Sequence, residues 1–381
     1  MIHYDSRKIN PKDVFLSIDK GSRFISPSLL NKCSSVIKLT KEEVYPYLTD
    51  LWGLDMSKIK IIGITGTNGK TTVSYLVQQI LNECNIKNRL IGTINSNLTT
   101  PEMFDLLENI KDMQAKNETH LIMEVSSIGI TEKRIHGLTF AVKCLTNITQ
   151  DHLDYHKTFK HYVESKFKFL NLPGPTVFPK DYKRIPINFP TQLKGKFNLF
   201  NIQAAYAIAL ALNISKPTIE KALEHAIPPK GRFQYIKTSN PFNIIVDYAH
   251  TPDGLTNILK EARRLTDKNL IVVFGAGGDR DKLKRPLMGK AADDLADIIV
   301  LTSDNPRSEV PEEIMKDIQA GISRSDMLTI TDREEAIRKA LQIAKRGDTI
   351  VIAGKGHENY QILHDKTIHF DDVEIVMKYS K

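Results

Sequence analysis

The run with the clearest chemical content is Gly63-Ile-Thr-Gly66-Thr67-Asn68-Gly69-Lys70-Thr71-Thr72. Its glycines let backbone N–H groups approach phosphate oxygens, and the start of a helix favours negative charge. Lys70 can reach outer phosphates, and the Thr71 hydroxyl can hold magnesium. One position departs from the strict pattern for such loops: residue 64 is Ile where the first glycine belongs, and Gly66 supplies the flexible residue. Two other residues fit a phosphate-handling site. Glu124 ends an apolar run, where a carboxylate can hold magnesium among phosphate oxygens. Arg307, in Asp304-Asn305-Pro306-Arg307, carries a guanidinium that can grip a carboxylate in a bidentate fork. Taken alone, a strand-end Glu is usually solvated and an Arg after a turn is usually surface.

These residues need elements to hold them. Lys58 to Thr65 reads as a buried strand and Thr71 to Leu81 as a helix. His120 to Val125, Val142 to Asn147, Ile244 to Tyr248, Leu270 to Phe274, Ile298 to Thr302 and Thr349 to Ala353 read as strands, with helices between them. Asn201 to Leu212 is Ala-rich and helical. Alternating strands and helices predict parallel sheets covered by helices, an α/β class. Such sheets present ligands at the carboxyl ends of their strands, where the motifs fall. Leu170 to Thr191 carries five prolines, and Ile227-Pro-Pro-Lys-Gly231-Arg232 is a short hinge. Cuts near 55 and 232 follow.

The 381 residues leave room for two or three domains. Composition is that of a globular chain, with 41% hydrophobic and 26% charged residues. No apolar stretch is long enough for a transmembrane helix, and the first residues lack the apolar core of a secretory signal. Three cysteines cannot all pair, which points to reduced thiols in the cytoplasm. A net charge of +8 suits anionic ligands such as nucleotides.

Further segments make the resemblance specific. Asp5-Ser6-Arg7 with Pro11-x-Asp13-Val-Phe15, Thr99-Thr100-Pro101, Met123-Glu-Val-Ser-Ser127 and Thr146-Asn-Ile-Thr-Gln-Asp-His152-Leu-Asp-Tyr-His156 occur in that order. Gly195-Lys-Phe-Asn198, Asp247-Tyr248-Ala-His-Thr-Pro252, Gly275-x-Gly-Gly-Asp-Arg-Asp281 with Lys284-Arg285-Pro286, Asp304-Asn305-Pro-Arg307 and Gly354-Lys-Gly-His-Glu358 follow. Together they resemble the Mur ligase family, of the MurE type, over nearly the whole chain. The resemblance implies three domains: a reduced UDP-binding-like unit over 1–55, a central ATP-binding P-loop unit with a parallel sheet over 56–231, and a Rossmann-like, amino-acid-binding unit over 232–381. It implies an ATP-dependent, ADP-forming ligase with Mg2+. That ligase would add meso-diaminopimelate to the D-Glu carboxylate of UDP-N-acetylmuramoyl-L-Ala-D-Glu through an acyl phosphate, in cell-wall precursor synthesis.

Residue roles carry over position by position. Lys70, Glu124, His152 and Lys166 are the implied catalytic group. Thr71, Glu124, His152 and Lys166 are the implied metal set, with Lys166 carbamylated and so converted from cation to carboxylate-like ligand. Ser165 stands where the family has Ala. ATP falls to Gly66, Thr67, Asn68, Gly69, Lys70, Thr71, Thr72, Asn198, Asn201, Arg232, Asp247 and Tyr248. The UDP-sugar side falls to Ser6, Arg7, Thr99, Thr100, Ser126 and Arg134. Arg285, Asp304, Asn305, Arg307, Gly354 and Glu358 are the implied amino-acid pocket, Glu358 taking the distal ammonium. The expected partners are small molecules, with neither nucleic acid nor membrane, and the expected state is a monomer. No residue stands out as the base that removes the amine proton.

The chain also departs from the family pattern. The part ahead of the phosphate loop is short after Phe24-Ile25, the stretch from Lys166 to Gly195 is compressed, and Ile128 stands where His is usual. A second reading is therefore a specialised family member that joins a diamino acid to a different, smaller carboxylate. A third is a non-catalytic nucleotide-binding protein. Retention of Lys70, Glu124, His152 and Lys166 argues against the third.

Overall fold

The strand Lys60–Thr65 is the axis of the first half of the molecule. All of it after Lys60 is buried, as expected of a strand covered on both faces. In this computed structural model, which describes residues 2–5, 8, 10, 13–19, 33–96 and 98–380, it is the middle member of a five-stranded parallel sheet. The order is Asn88–Ile91, His120–Glu124, Lys60–Thr65, Val142–Leu145 and Thr176–Val177. The register pairs Ile64 with Glu124 and Thr65 with Leu145, so the residues leading into the phosphate loop and into 146–152 leave the same sheet edge. The helix Lys70–Glu83 packs against the helix Lys196–Ala211, and both face the sheet core. The second helix starts ahead of the expected Asn201, because its buried face already begins at Asn198. The proline-rich stretch contributes only the strand Thr176–Val177 and the single turn Pro179–Tyr182, whose buried tyrosine donates to the Thr146 carbonyl at 2.7 Å.

The second half holds a six-stranded sheet ordered Leu328–Thr329, Ile298–Leu301, Leu270–Phe274, Thr349–Ala353, Asn243–Asp247 and Gln234–Tyr235. Every pairing is parallel except that of the Gln234–Tyr235 edge. The loops after Asp247, Phe274, Leu301 and Ala353 therefore converge at one end. They are the segments that carry the C-terminal motifs, as the parallel reading requires.

The N-terminal strands Ile2–His3, Val14–Ile18 and Ser35–Leu39 form a small parallel sheet. Leu16, Val44 and Leu48 lie in one apolar cluster with Phe104, Leu107 and Ile110 of the helix Met103–Ala115. Tyr4 donates to Asp105 at 2.7 Å and its ring sits 5.1 Å from Phe104. The described residues of the first segment thus share a core with the central sheet. Ser6, Arg7, Phe24 and Ile25 lie outside the described residues.

Gly63, inside the axial strand, reports how tight this packing is. A Cβ there would lie 2.6 Å from Phe169 Cζ and 2.8 Å from Phe140 Cδ1, two rings in edge contact at 5.0 Å. Gly63→Ala is expected to destabilise the fold by about 1–3 kcal/mol through overpacking, read as a lower urea midpoint. An unchanged midpoint would contradict this packing.

Candidate functional site

The phosphate loop is shaped by two glycines. Gly66 has φ +152° and Gly69 +87°. A Cβ on Gly66 would lie 1.8 Å from Thr146 Oγ1, and one on Gly69 would lie 2.6 Å from Asn201 Oδ1. The loop is thus clamped between 146–147 and the helix Lys196–Ala211. Lys70 curls back over it, donating to the carbonyls of Gly66 at 2.9 Å and Thr67 at 3.0 Å. Thr67 Oγ1 is shared with Tyr162 at 2.8 Å and with the Thr149 carbonyl at 3.0 Å. Asn68 donates to Asp253 at 2.8 Å, tying the loop to the start of the helix Pro252–Arg263 in the second half. The Thr72 side chain is buried.

Glu124 is fully buried at the end of its strand. Its oxygens accept from Thr93 N–H at 3.0 Å, Thr93 Oγ1 at 3.1 Å and Thr71 Oγ1 at 3.1 Å. Gly92 allows this approach, since a Cβ there would meet Glu124 Oε1 at 2.2 Å. Adjacent ligands of an octahedral magnesium stand about 3 Å apart, so Thr71 and Glu124 fit a shared hard cation. Arg232 reaches across from the hinge, donating to Thr71 Oγ1 at 3.0 Å while its guanidinium lies 4.5 Å from the Tyr248 ring.

Lys166 lies on the helix Phe159–Leu170 and is buried. Its ammonium donates to the Gly66 carbonyl at 3.1 Å, the acceptor that Lys70 also uses, and lies 4.6 Å from the Tyr162 ring. Burial, then the neighbouring Lys70 charge, push its pKa well below the usual lysine range. His152 has left-handed backbone, φ +56°, and stands 3.4 Å from Asp151. Burial alone would raise the Asp151 pKa, but His152, Lys284 and His250 pull it down. Lys284, from the second half, approaches Asp151 to 3.8 Å and is itself buried. Among the described residues no cluster of three or more His, Cys, Asp or Glu side chains could hold a metal. The His152 side of the implied metal set therefore depends on what Lys166 becomes.

A cleft of about 910 Å³ opens between the two larger sheets. Lys70, Asp151 and His152 line one side, and Asp304, Asn305, Arg307, Gly354 and Glu358 the other. Gly354 has φ +120°, and a Cβ there would lie 2.7 Å from Asp304 Oδ2. Asn305 donates to Glu358 at 2.8 Å. Arg307 is left-handed, φ +54°, and its guanidinium donates to the Gly278 carbonyl at 2.8 Å. Tyr248 also lines the cleft, and its hydroxyl reaches Glu358 at 3.4 Å, on the wall that carries Asp304 and Asn305.

Other candidates lie behind this surface. Arg285 is buried, pairing with Glu309 at 2.8 Å and Asp317 at 2.9 Å; it is Arg280, from the same motif region, that lines the cleft. Thr99, Ser126 and Arg134 line the far end of the cleft. Thr100 sits beneath them, donating to the Glu124 carbonyl at 3.0 Å. Ile128 lines the same end. Asn201 donates to Asn198 at 3.1 Å under the phosphate loop. Asp247 accepts from the N–H groups of Phe233 at 2.6 Å and Ala249 at 2.7 Å, bracing the hinge beside Arg232.

Sequence reasoning left Asp151, Arg280, Lys284, His250 and Lys355 unassigned, although each lies in a quoted motif. Four of them line the cleft, and Lys355 lies behind it. Burial and then Lys284 push the His250 pKa down to about 4, so its imidazole is neutral near pH 7.

Residues 64–178 match the family model of the Mur ligase middle domain, and residues 231–356 that of the Mur ligase glutamate ligase domain. The UDP-N-acetylmuramoyl-L-alanyl-D-glutamate--2,6-diaminopimelate ligase of Clostridium botulinum is 37% identical over 461 residues, covering 100% of this chain and 95% of its own. A ligase of the same description from Clostridium acetobutylicum is 38% identical, covering 100% and 94%. The solved structure of a ligase so described superimposes with TM-score 0.61 at 30% identity, covering 99% of this chain and 94% of its own. A Thermotoga maritima MurF ligase in complex with ADP shares the fold, with TM-score 0.67 at 16% identity, covering 99% and 96%. The chain belongs to the Mur ligase family. Within that family, the two clostridial relatives, 37% and 38% identical over the whole of this chain, are diaminopimelate ligases of the MurE type. A span of 461 aligned positions against 381 residues leaves at least 80 positions of the C. botulinum alignment without a counterpart here.

Gly66→Ala would displace the phosphate loop from Thr146. A misplacement near 1 Å costs about a hundredfold in rate, so ATP turnover is expected to fall by at least that factor, measured as ADP release, with the circular dichroism spectrum unchanged. Wild-type turnover would contradict the loop geometry.

Proposed function

We propose that this protein is an ATP-dependent, ADP-forming amide ligase that adds meso-diaminopimelate to the D-Glu carboxylate of UDP-N-acetylmuramoyl-L-Ala-D-Glu, a step in making peptidoglycan precursors. The observation that carries the reading is one cleft with a phosphate loop on one wall and a pocket lined by Arg307, Asp304 and Glu358, groups of both charges, on the other. A carboxylate oxygen is a poor leaving group. Attack of that oxygen on the γ-phosphorus releases ADP and leaves an acyl phosphate. The neutral amine nitrogen then attacks the acyl carbon, the C–N bond forms, the C–O bond to phosphate breaks, and inorganic phosphate departs, with the proton lost from nitrogen balanced as hydrogen phosphate.

Lys70 and the loop N–H groups hold the outer phosphates, and Arg232 adds charge from the hinge as the walls approach. Thr71 and Glu124 would hold Mg2+, with His152 and a carbamylated Lys166 at a second position. Bound there, the metal offsets charge on the phosphate oxygens. The lowered Lys166 pKa favours the neutral amine, the form that adds carbon dioxide. Arg307, with Arg280 beside it in the cleft, grips the distal carboxylate of the amine substrate as a fork. Asp304 and Glu358 receive its distal ammonium. Asn198, Asn201 and Asp247 brace the nucleotide side, and Thr99, Ser126 and Arg134 face the muramoyl end. On this reading the parts are 1–55, 56–231 and 232–381, with the phosphate loop and the muramoyl-facing Thr99, Ser126 and Arg134 in the second and the amine pocket in the third. Among the described residues no helix is long and apolar enough to cross a membrane; the proposal is a cytoplasmic enzyme that acts on small molecules as a monomer.

One observation favours a second reading. The chain lacks at least 80 positions that the C. botulinum ligase aligns over, and the described apolar residues of the first segment pack into the core of the central sheet. A smaller carboxylate acceptor would fit these losses. Incubation with ATP, Mg2+, meso-diaminopimelate and either acceptor separates the two: ADP release that requires the UDP-muramoyl dipeptide supports the first reading, and release with a small carboxylate alone supports the second. Arg307→Ala is expected to raise KM for meso-diaminopimelate about a hundredfold, the scale of a truncated buried charge pair, with KM for ATP unchanged. An unchanged KM for the amine would overturn the pocket assignment.

A further inference from the structure

One buried cation has no part in the chemistry above. Lys355 follows Gly354 at the end of the strand Thr349–Ala353 and has no exposed surface. Its ammonium donates to Asn305 Oδ1 at 2.9 Å and lies 3.4 Å from Glu358 Oε2 and 3.6 Å from Asp304 Oδ1. The two carboxylates and Asn305 line the cleft, whereas Lys355 stands behind them. Arg333, another cation buried close to this wall, is already matched by Asp372 at 2.8 Å. Lys355 is thus the internal counter-ion of two carboxylates that would otherwise face each other across a buried site. Like charges so placed cannot both stay ionised without compensation. Two carboxylates and one ammonium leave one net negative charge, the complement of a single substrate ammonium.

We propose that Lys355 is a positioning residue that keeps Asp304 and Glu358 both ionised and turned toward the cleft, and so sets the amine pocket to accept one ammonium group. The inference rests on the amine-pocket reading above and goes beyond it, because it gives a residue that never meets substrate control over amine binding. Burial and then Asp304 raise the Glu358 pKa; Lys355, Arg333, His250 and Arg307 hold Asp304 below its ordinary value against burial. Tyr248 and Tyr360 are the remaining titratable groups facing the pair.

The test is steady-state kinetics of the full chain with meso-diaminopimelate between pH 6 and 9. Wild type is expected to show a KM for the amine that does not follow the carboxylates. In Lys355→Met the uncompensated pair retains a proton, so KM is expected to rise about tenfold at the acid end and recover as pH increases and the proton leaves. KM for ATP should stay put. A raised KM that is flat with pH would mean a merely structural role and would overturn the proposal, as would an unchanged KM. If Lys355→Met does not fold, the comparison is Glu358→Gln against Lys355→Met/Glu358→Gln. Removing the lysine restores the single net negative charge, so the double variant is expected to bind the amine more tightly than Glu358→Gln alone; weaker binding by the double variant would overturn the proposal. Should wild type itself fail to use or bind meso-diaminopimelate while still hydrolysing ATP, the pocket reading falls, and this inference with it.

Discussion

Two lysine ammonium groups from different helices converge on one backbone carbonyl, that of Gly66, and much of the site depends on that crowding. Buried like charges cost free energy unless something opposes them. Glu124 and Asp151 oppose them in part, while Lys284, from a helix of the second half, and Arg232, from the hinge, add further positive charge. The arrangement makes physical sense as a surface built in advance for a polyanion, with the stabilising charges in place before the reaction develops its own.

That constraint explains the contacts between the two halves. Arg232 reaches Thr71, Asn68 reaches Asp253, and Lys284 approaches Asp151. Each of these joins a group on the central sheet to one at the end of the second sheet or its hinge. The polar groups proposed to meet the nucleotide are the ones that bridge the halves. The amine side follows a similar rule with opposite sign: excess carboxylate, trimmed by one buried lysine.

Much of this was legible in the chain. Leu270–Phe274 and Thr349–Ala353 fall where the apolar runs place them, because strands buried on both faces are unbroken in hydrophobicity. The phosphate loop was legible because glycine, lysine and threonine at fixed spacing serve one purpose, and the positive φ of Gly66 accounts for the missing glycine at 64. The choice between Arg280 and Arg285 was not legible. Both sit in one basic motif, and only the packing of Glu309 and Asp317 against Arg285 shows which one turns inward. Lys355 was hidden for the same reason: a lysine between glycines reads as a loop residue until the fold places it beneath two carboxylates. The shared core of the first segment and the central sheet was likewise beyond local pattern, since it depends on contacts between Val44 or Leu48 and the helix Met103–Ala115.

If one cleft activates a carboxylate by phosphorylation and then delivers an amine to it, transfer of a heavy-oxygen label reports it most directly. With the acceptor carboxylate labelled and all substrates present, formation of an acyl phosphate places a labelled oxygen in the released inorganic phosphate, in step with amide formed. Amide formation accompanied by unlabelled phosphate would contradict it.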